Sequence, residues 1–330
     1  MSVDGSGDLP ARPWYLPGPE AEGGGPWHEA ETGAGAAFRV PALEPGAAGE
    51  LAQRVRTAAV ETRRELPARR VIGVLSRAAT RLADPGSRWG EEARALLAAE
   101  LGWPESLAGE TLARMSESWT ADALAGLVEE ELGGADVLDG FRPAPASGGG
   151  ERRRRAAGPP LLLQVQAGNV PGVGVTGVIR ALLVRSGVVA RPSRDEPGLA
   201  ALFARSLAAA SPELGRTLAV AWWPRGADGS WEAFAKCSGK VVLYGGGSAV
   251  GALRGRLPAE TELVAYGPKL GLAVFLPDAA LSDAVRALAR DVCAYEQRGC
   301  VSPRVAFVPE GRREEAARAL HDALCDYVKQ

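Results

Sequence analysis

Residues 161–193, LLLQVQAGNVPGVGVTGVIRALLVRSGVVARPS, contain the pattern that decides the fold. The stretch opens with the short apolar run LLLQVQ and passes through a glycine-rich turn into a segment with apolar residues at helical spacing. It closes with a second short apolar run, GVVARPS. Two apolar strands joined by a helix predict neighbouring parallel strands that are buried on both faces of a sheet.

The same alternation of strands and helices continues to about residue 308. Further strands are predicted at TLAVAWW, KVVLY, ETELVAY, LAVF and RVAFV. Helices between the strands are predicted at 173–185, 199–210, 231–236, 248–257 and 278–295. We therefore predict an α/β fold, a Rossmann-type parallel sheet with helices on both faces, in which ligands bind at the carboxyl ends of the strands.

The residues before this sheet differ in composition. The first 50 residues contain ten glycines and seven prolines, so we expect 1–49 to be a flexible lead with Trp14, Tyr15 and Trp27 packed on the body. Residues 50–140 repeat apolar side chains at helical spacing, which predicts a helical N-terminal region.

The sequence predicts three further segments after this helical region. We predict a linker or loop at 141–160, a nucleotide-binding Rossmann-type domain at 161–290, and a last segment at 291–330. The four consecutive arginines at 152–155 either hold a phosphate group or form a solvated part of that loop.

Composition and charge exclude several functions. The chain has 330 residues and a net charge of −2, so no excess of positive charge draws it to nucleic acid or anionic lipid. No apolar stretch is long enough to span a membrane, and the N-terminus lacks a signal-peptide pattern, so we expect a cytoplasmic protein. The two histidines and four irregularly spaced cysteines predict neither a metal site nor a disulfide framework. The sequence has no G-x-S-x-G motif, which argues against a Ser-His-Asp hydrolase.

Two glycine-rich turns are candidate phosphate sites. Gly172, Gly174 and Gly177 form a G-x-G-x-x-G motif between a strand and a helix, which is typical either of dinucleotide binding or of a tight turn with close helix packing. The second turn follows KVVLY, and its backbone N–H groups at a helix start favour an anion. This second turn consists of Gly245, Gly246, Gly247 and Ser248.

The second strand ends in arginines. Asp195 and Glu196 are the candidates for the acidic residue that binds the ribose of NAD about 20 positions after such a motif. They lie beyond the strand, whose end carries Arg191 and Arg194 instead. Arginine there favours the 2′-phosphate of NADPH, although a solvated arginine is the alternative.

A cysteine is the candidate nucleophile. Cys300 follows a long predicted helix and Gly299, and it precedes the strand RVAFV. A thiol at such a boundary is either activated by backbone dipoles or is simply a small buried apolar residue, and the residues alone leave both open.

Five segments in fixed order resemble the aldehyde dehydrogenase superfamily, and more closely the LuxC-type acyl-CoA reductases, the fatty acid reductase component of bacterial luminescence. The resemblance covers about residues 50–330. The segments are Gly168-Asn169-Val170-Pro171, Ala190-Arg191-Pro192-Ser193, residues 244–251 (YGGGSAVG), Gly267-Pro268-Lys269 and Glu296-Gln297-Arg298-Gly299-Cys300.

The resemblance implies a role for each segment. Cys300 is the nucleophile of an acyl-enzyme, which makes 291–330 the start of the catalytic domain, and Asn169 donates to the oxyanion. Arg191 and Ser193 bind the ribose side of NADPH, and residues 245–248 bind its phosphates. The implied reaction reduces an acyl-CoA or acyl-carrier thioester to an aldehyde. The G-x-G-x-x-G motif is then coincidental as a phosphate site.

Other positions refine this expectation. Ala265 and Tyr266 occupy the place where hydrolytic relatives carry a glutamate that activates water, which favours a thioester reductase over an aldehyde-oxidising enzyme. Cys293 and Cys325 are expected to be packing residues, and His321 a surface residue.

The resemblance departs at two points. Arg298 stands where relatives carry glutamine. Full members continue well beyond the cysteine, so we expect the catalytic domain to be truncated. The alternatives are a catalytically incomplete nucleotide-binding or scaffold subunit, and an NAD(P)-dependent aldehyde dehydrogenase. Each of these functions is compatible with a homo-oligomer, or with a partner subunit that transfers or ligates acyl groups.

Overall fold

The computed structural model describes residues 9–18, 25–144, 151–267, 269–278 and 280–328. The chain forms two compact units, Met1–Tyr266 and Gly267–Gln330. Pro268 of the predicted Gly-Pro-Lys segment and the side chain of Glu296 lie outside the described residues. The roles predicted for 50–140, 161–290 and 291–330 stay predictions.

The first unit opens with a hairpin and a set of helices. These elements are β1 (Trp27–Glu31), β2 (Ala37–Pro41), α1 (Pro45–Glu65), α2 (Ala68–Thr80), α3 (Arg88–Leu101), α4 (Glu105–Glu117) and α5 (Ala121–Leu132). A short 3-10 helix and an antiparallel ribbon follow, Ala135–Leu138, β3 (Arg142–Ala144) and β4 (Arg152–Arg154).

Strands and helices then alternate through the rest of this unit, as predicted. They are β5 (Leu161–Val165), α6 (Val173–Leu183), β6 (Gly187–Arg191), α7 (Leu199–Ala210), α8 (Pro212–Gly215), β7 (Leu218–Val220), α9 (Asp228–Cys237), β8 (Lys240–Tyr244), α10 (Gly247–Arg254) and β9 (Glu262–Tyr266).

The five strands β5–β9 form one parallel sheet in the order β7-β6-β5-β8-β9. Leu163 of β5 pairs with Val189 of β6 on one side and with Val241 of β8 on the other. The direction of strand order reverses at β5, which makes the gap between β5 and β8 the switch point of the sheet. The predicted Rossmann-type α/β fold is confirmed.

The leucines of β5 explain why both faces of the sheet are covered. Leu162 belongs to the core that α6, α7 and the N-terminal helices form, whereas Leu161 and Leu163 belong to the core under α1 and α9. Successive side chains of a strand point to opposite faces, so an unbroken apolar run needs a helical layer on each side.

Where the structure describes the lead, it contains the β1–β2 hairpin, which was not predicted, and its Trp14 and Tyr15 pack on the body as expected. Trp14 is buried, and Phe38 packs edge-on against Trp222 with ring centroids 5.3 Å apart. Tyr15 exchanges backbone hydrogen bonds of 2.9 and 2.7 Å with Val220 and covers the edge of the sheet. Aromatic side chains bury enough area to order a glycine- and proline-rich stretch.

The predicted loop at 141–160 also differs in part, because β3 and β4 pair within it. The arginines at 152–155 are exposed.

The second unit contains β10 (Gly271–Val274), α11 (Leu281–Cys293), a 3-10 helix (Ala294–Gln297), β11 (Pro303–Phe307) and α12 (Arg313–Val328). The two strands are parallel, and α11 packs against α12. Across the described parts of both units, no helix combines the length and the apolar character that crossing a membrane requires.

Helix α1 approaches the sheet closely because β6 begins with a glycine. A Cβ atom on Gly187 would lie 2.9 Å from the carbonyl oxygen of Val55 and 3.1 Å from that of Pro160. Backbone atoms cannot move aside as side chains do, so this position has room only for hydrogen.

We expect Gly187→Ala to lower the free energy of unfolding by about 1–3 kcal/mol, because the methyl group overpacks the contact with α1. Urea denaturation measures the change. Gly251→Ala is the matched control, since its Cβ would meet nothing within 4 Å and alanine favours the helix by about 1 kcal/mol. A Gly187→Ala protein as stable as the wild type would contradict this reading of the packing.

Candidate active site

Three of the predicted segments lie at the carboxyl edge of the sheet, where neighbouring parallel strands end. We call residues 166–172 after β5 the Asn169 turn, residues 192–198 after β6 the Ser193 turn, and residues 245–248 after β8 the glycine turn. The Gln166 N–H donates to the carbonyl of Arg191 at 2.9 Å. A Cβ on Gly168 would lie 1.9 Å from Ser193 Oγ, so the first two turns are in direct contact.

The Asn169 turn is held from two sides. Asn169 is half-buried. Three residues on, Gly172 has a φ of 80°, which favours glycine, and its N–H donates to Glu196 Oε1 at 3.2 Å. Fully buried Trp119 donates from Nε1 to Thr176 Oγ1 at 2.9 Å, just inside α6. Glu196 was weighed only as the acidic residue of the G-x-G-x-x-G motif, not as a support of this turn, and Trp119 was not predicted as a site residue.

The G-x-G-x-x-G glycines serve packing. A Cβ on Gly174 would lie 2.5 Å from Gln166 Oε1, and one on Gly177 would lie 2.0 Å from Gln164 Nε2. Both glutamines are buried in β5 or directly after it. The two glycines therefore let α6 lie close to the sheet, in agreement with the close-packing alternative.

Arg191 is a partly buried cation. Its Nη2 donates to the Trp223 carbonyl at 2.7 Å, and its guanidinium lies 5.4 Å from the Trp223 ring centroid. Burial, and after it the nearby cation of Arg225, lower the pKa of Arg191 to about 10. Among the described residues no carboxylate forms an ion pair with Arg191. Two cations with no paired carboxylate favour an anionic ligand.

Ser193 is fixed by its own turn. Its Oγ accepts hydrogen bonds of 3.1 Å from the N–H groups of Asp195 and Glu196. These bonds leave the hydroxyl hydrogen of Ser193 as a donor.

The glycine turn is open. Helix α10 begins at Gly247, and Gly246 before it has an ordinary φ of −71°. A Cβ on Gly246 or Gly247 would meet nothing within 4 Å, so neither conformation nor packing requires glycine there. Without side chains, the N–H groups of the first turn, with Ser248 beside them, are accessible to an anion.

The end of β9 adjoins this turn. The backbone carbonyl of Tyr266 accepts a hydrogen bond from the Gly245 N–H at 3.1 Å. The Tyr266 ring stacks on the Tyr244 ring, with centroids 5.0 Å apart. Ala265 is exposed.

Cys300 belongs to the second unit and is exposed there. It follows a turn in which Tyr295 and Gln297 have φ values of 53° and 61°. Such left-handed conformations are strained for residues other than glycine and are typical of functional sites. A Cβ on Gly271 would lie 2.4 Å from the carbonyl oxygens of Val301 and Ser302, so β10 approaches the chain just after the thiol.

The other two cysteines of this unit and His321 differ in how far their side chains are buried. Burial raises the pKa of half-buried Cys293 at the end of α11. Cys325 is exposed, so the expectation that it packs is wrong, because it lies on the solvent side of α12. His321 is exposed as expected. No cluster of three or more metal-ligating side chains occurs within the described residues.

The structure therefore brings Asn169, Arg191, Ser193 and the glycine turn to one edge of one sheet. The roles that the resemblance implies for these residues stay predictions. Cys300 stands in the other unit.

A family model, acyl-CoA reductase (LuxC), matches residues 64–330. The chain belongs to the LuxC family.

Two curated relatives of this LuxC-family chain are named long-chain acyl-protein thioester reductase. The protein from Vibrio harveyi is 27% identical over 222 residues, which cover 64% of this chain and 46% of the relative. That from Photorhabdus laumondii is 25% identical over 228 residues, covering 66% and 46%. The chain spans about half the length of the curated relatives it matches.

Solved structures similar to this LuxC-family chain are aldehyde dehydrogenases. KauB from Pseudomonas aeruginosa matches with a TM-score of 0.73 and 16% identity, covering 91% of this chain and 59% of that one. The NADP-dependent glyceraldehyde-3-phosphate dehydrogenase from Bacillus halodurans C-125 matches with a TM-score of 0.69 and 17% identity, covering 90% and 61%. This likeness shows the aldehyde-dehydrogenase-like fold.

We expect iodoacetamide at pH 7 to alkylate Cys300 faster than Cys293, because Cys300 is exposed whereas burial raises the pKa of Cys293 and lowers its thiolate fraction. Alkylation of Cys293 should gain on that of Cys300 as the pH rises. Peptide mass spectrometry after timed labelling measures both rates. Equal rates at pH 7 would contradict the placement of these two thiols.

Proposed function

We propose that this LuxC-family chain reduces a long-chain acyl-CoA or acyl-carrier thioester to an aldehyde, using NADPH and an acyl-enzyme on Cys300. The observation that carries the proposal is that the Asn169 turn, the Ser193 turn and the glycine turn follow the neighbouring parallel strands β5, β6 and β8 at one edge of the sheet. Together they offer an amide donor, unpaired cations and open backbone N–H groups in a member of an acyl-CoA reductase family.

The first step is acyl transfer to the protein. The Cys300 thiolate attacks the thioester carbonyl carbon, a new C–S bond forms, and the carrier thiol leaves. The negative charge that develops on the carbonyl oxygen is stabilised by the Asn169 side-chain amide and the Cys300 backbone N–H. The fixed Asn169 turn supports this role, because a donor held in place needs no reorganisation during the reaction.

The residues at the sheet edge fit NADPH. Cβ atoms at Gly246 and Gly247 would stand in open space, so their absence leaves room for a pyrophosphate close to the α10 N-terminus. Arg191 and Arg225 suit the 2′-phosphate, and the Ser193 hydroxyl suits the ribose beside it. When bound, the cofactor supplies the hydride that reduces the acyl thioester to the aldehyde.

Ala265 supports reduction over hydrolysis. It offers no carboxylate that activates water, and therefore the acyl-enzyme persists until it is reduced. A dehydrogenase that oxidises aldehydes to free acids needs such a base.

A second candidate function is nucleotide binding without turnover. The open N–H groups of the glycine turn and the cations of Arg191 and Arg225 support nucleotide binding without any role for the thiol. The two candidates differ in whether Cys300 takes up an acyl group.

We expect incubation with palmitoyl-CoA, without reductant, to add one palmitoyl group to the intact chain at Cys300. Intact-mass and peptide mass spectrometry detect the adduct. Cys300→Ala should abolish it and Cys325→Ala should keep it. Asn169→Ala should slow its formation by about 100- to 1,000-fold, the usual cost of losing an oxyanion donor. A folded chain that binds NADPH but forms no adduct would refute the reductase and favour the nucleotide-binding function.

We expect Arg225→Ala to weaken NADPH binding by about 10- to 100-fold, because one charged hydrogen bond to the 2′-phosphate is lost. NADH binding should stay nearly constant. Titration calorimetry measures both affinities. Arg216→Ala is the matched control, since this exposed arginine precedes β7 at the opposite edge of the sheet. An equal loss for NADH and NADPH would contradict the assignment of the 2′-phosphate.

A further inference from the structure

The exposed side of α12 holds a thiol, an imidazole and a carboxylate in contact with one another. Cys325 Sγ lies 3.8 Å from His321 Nε2, and His321 Nδ1 lies 3.2 Å from Asp322 Oδ1. The thiol and the imidazole are four residues apart, which places them one helical turn from each other on the same side of the helix. We call these three residues the α12 triad.

The α12 triad is open to solvent. The side chains of His321 and Asp322 are 76% and 79% exposed, and Cys325 is exposed as well. The buried side of α12 contains Ala316 instead. A reagent in solution therefore reaches the thiol without any rearrangement of the chain.

The charged neighbours leave the Asp322 carboxylate to the imidazole. Arg318, three residues before His321, forms an ion pair with Glu314 at 3.3 Å. Within the described residues, the ion pair of Asp322 is the one with His321. The imidazole therefore has a carboxylate at one ring nitrogen and a thiol at the other.

This order of groups is typical of activated thiols. A carboxylate that accepts the Nδ1–H favours the imidazole tautomer whose Nε2 carries no hydrogen. That nitrogen can take the proton of the thiol, and the thiolate is the reactive form of cysteine. His321 is the one histidine in the sequence of this unit, and it contacts Cys325 rather than Cys293 or Cys300.

We propose that Cys325 is a site of reversible modification by low-molecular-weight disulfides such as oxidised glutathione. His321 acts as the proton acceptor, and Asp322 is a positioning residue that orients the imidazole. The proposal does not depend on the proposed function, because the α12 triad shares no residue with the candidate active site.

The modification is a thiol–disulfide exchange. His321 Nε2 takes the proton of the Cys325 thiol, and Sγ attacks one sulfur of the disulfide. A new S–S bond forms on the protein as the S–S bond of the reagent breaks, and the departing thiolate takes the proton from His321. The protein thiol is oxidised and half of the reagent is reduced to a free thiol, so the exchange needs no other oxidant. An added thiol reverses it.

Timed reaction of the full chain with oxidised glutathione, followed by peptide mass spectrometry, tests the proposal. At pH 7, Cys325 should be modified about tenfold faster or more in the wild type than in His321→Gln, because glutamine cannot take the proton. At about pH 10 the two rates should converge, because an ordinary thiol, with a pKa of about 8.5, is then ionised in both proteins. Dithiothreitol should remove the added group.

Further variants separate orientation from nonspecific effects. Asp322→Asn should slow the modification at pH 7 by a smaller factor than His321→Gln, because the imidazole remains but loses its orienting carboxylate. His28→Gln, the same substitution in β1 of the other unit, should behave as the wild type. Cys300 is an internal reference within each protein, and its rate of modification should be the same in all of them.

Equal rates at Cys325 in the wild type and in His321→Gln at pH 7 would overturn the proposal. A difference that persists unchanged at about pH 10 would overturn it as well, since His321 would then affect access to the thiol rather than its ionisation. Neither result bears on acyl transfer to Cys300, so failure here and failure of the proposed function are distinguishable.

Discussion

The parallel pairing of β5 with β6 on one side and β8 on the other is the constraint on which the rest of the structure depends. Parallel strands end at a common edge, so this pairing carries the turns after all three strands to one place. It also buries β5 on both faces, which requires α1 and α9 on one side and α6 and α7 on the other. The candidate site and the two cores are consequences of the same pairing.

Glycines at this edge serve two opposite purposes. Buried glutamine side chains occupy the space in which Gly174 and Gly177 would place a Cβ atom. The absence of these two side chains therefore allows helix α6 to approach the sheet. Gly246 and Gly247 face open space, so their missing side chains leave the start of α10 accessible. A motif of spaced glycines therefore marks packing in one turn and a candidate anion site in the other, and only the surrounding atoms distinguish them.

Charged side chains lie on two sides of the Asn169 turn. On one side lies Arg191, a partly buried cation with Arg225 near it, which suits an anionic ligand. Behind the turn lie the buried carboxyls of Glu100 and Glu196, and burial raises the pKa of Glu100 well above its ordinary value. The helical N-terminal region contributes Glu100 and the buried Trp119 to this environment. It is therefore part of the support of the site as well as a cover for the sheet.

The α/β class, strands β5 and β8, helix α7 and the order of the motifs could all be predicted from the sequence, because apolar periodicity and short motifs are local properties. The sequence did not reveal the packed hairpin of the lead, the purpose of each glycine turn, or Glu100, which meets Gly198 from 98 residues away. Those were decided by tertiary structure. Burial, close approach and charge coupling arise between residues distant in the chain, and no local pattern encodes which distant atoms will meet.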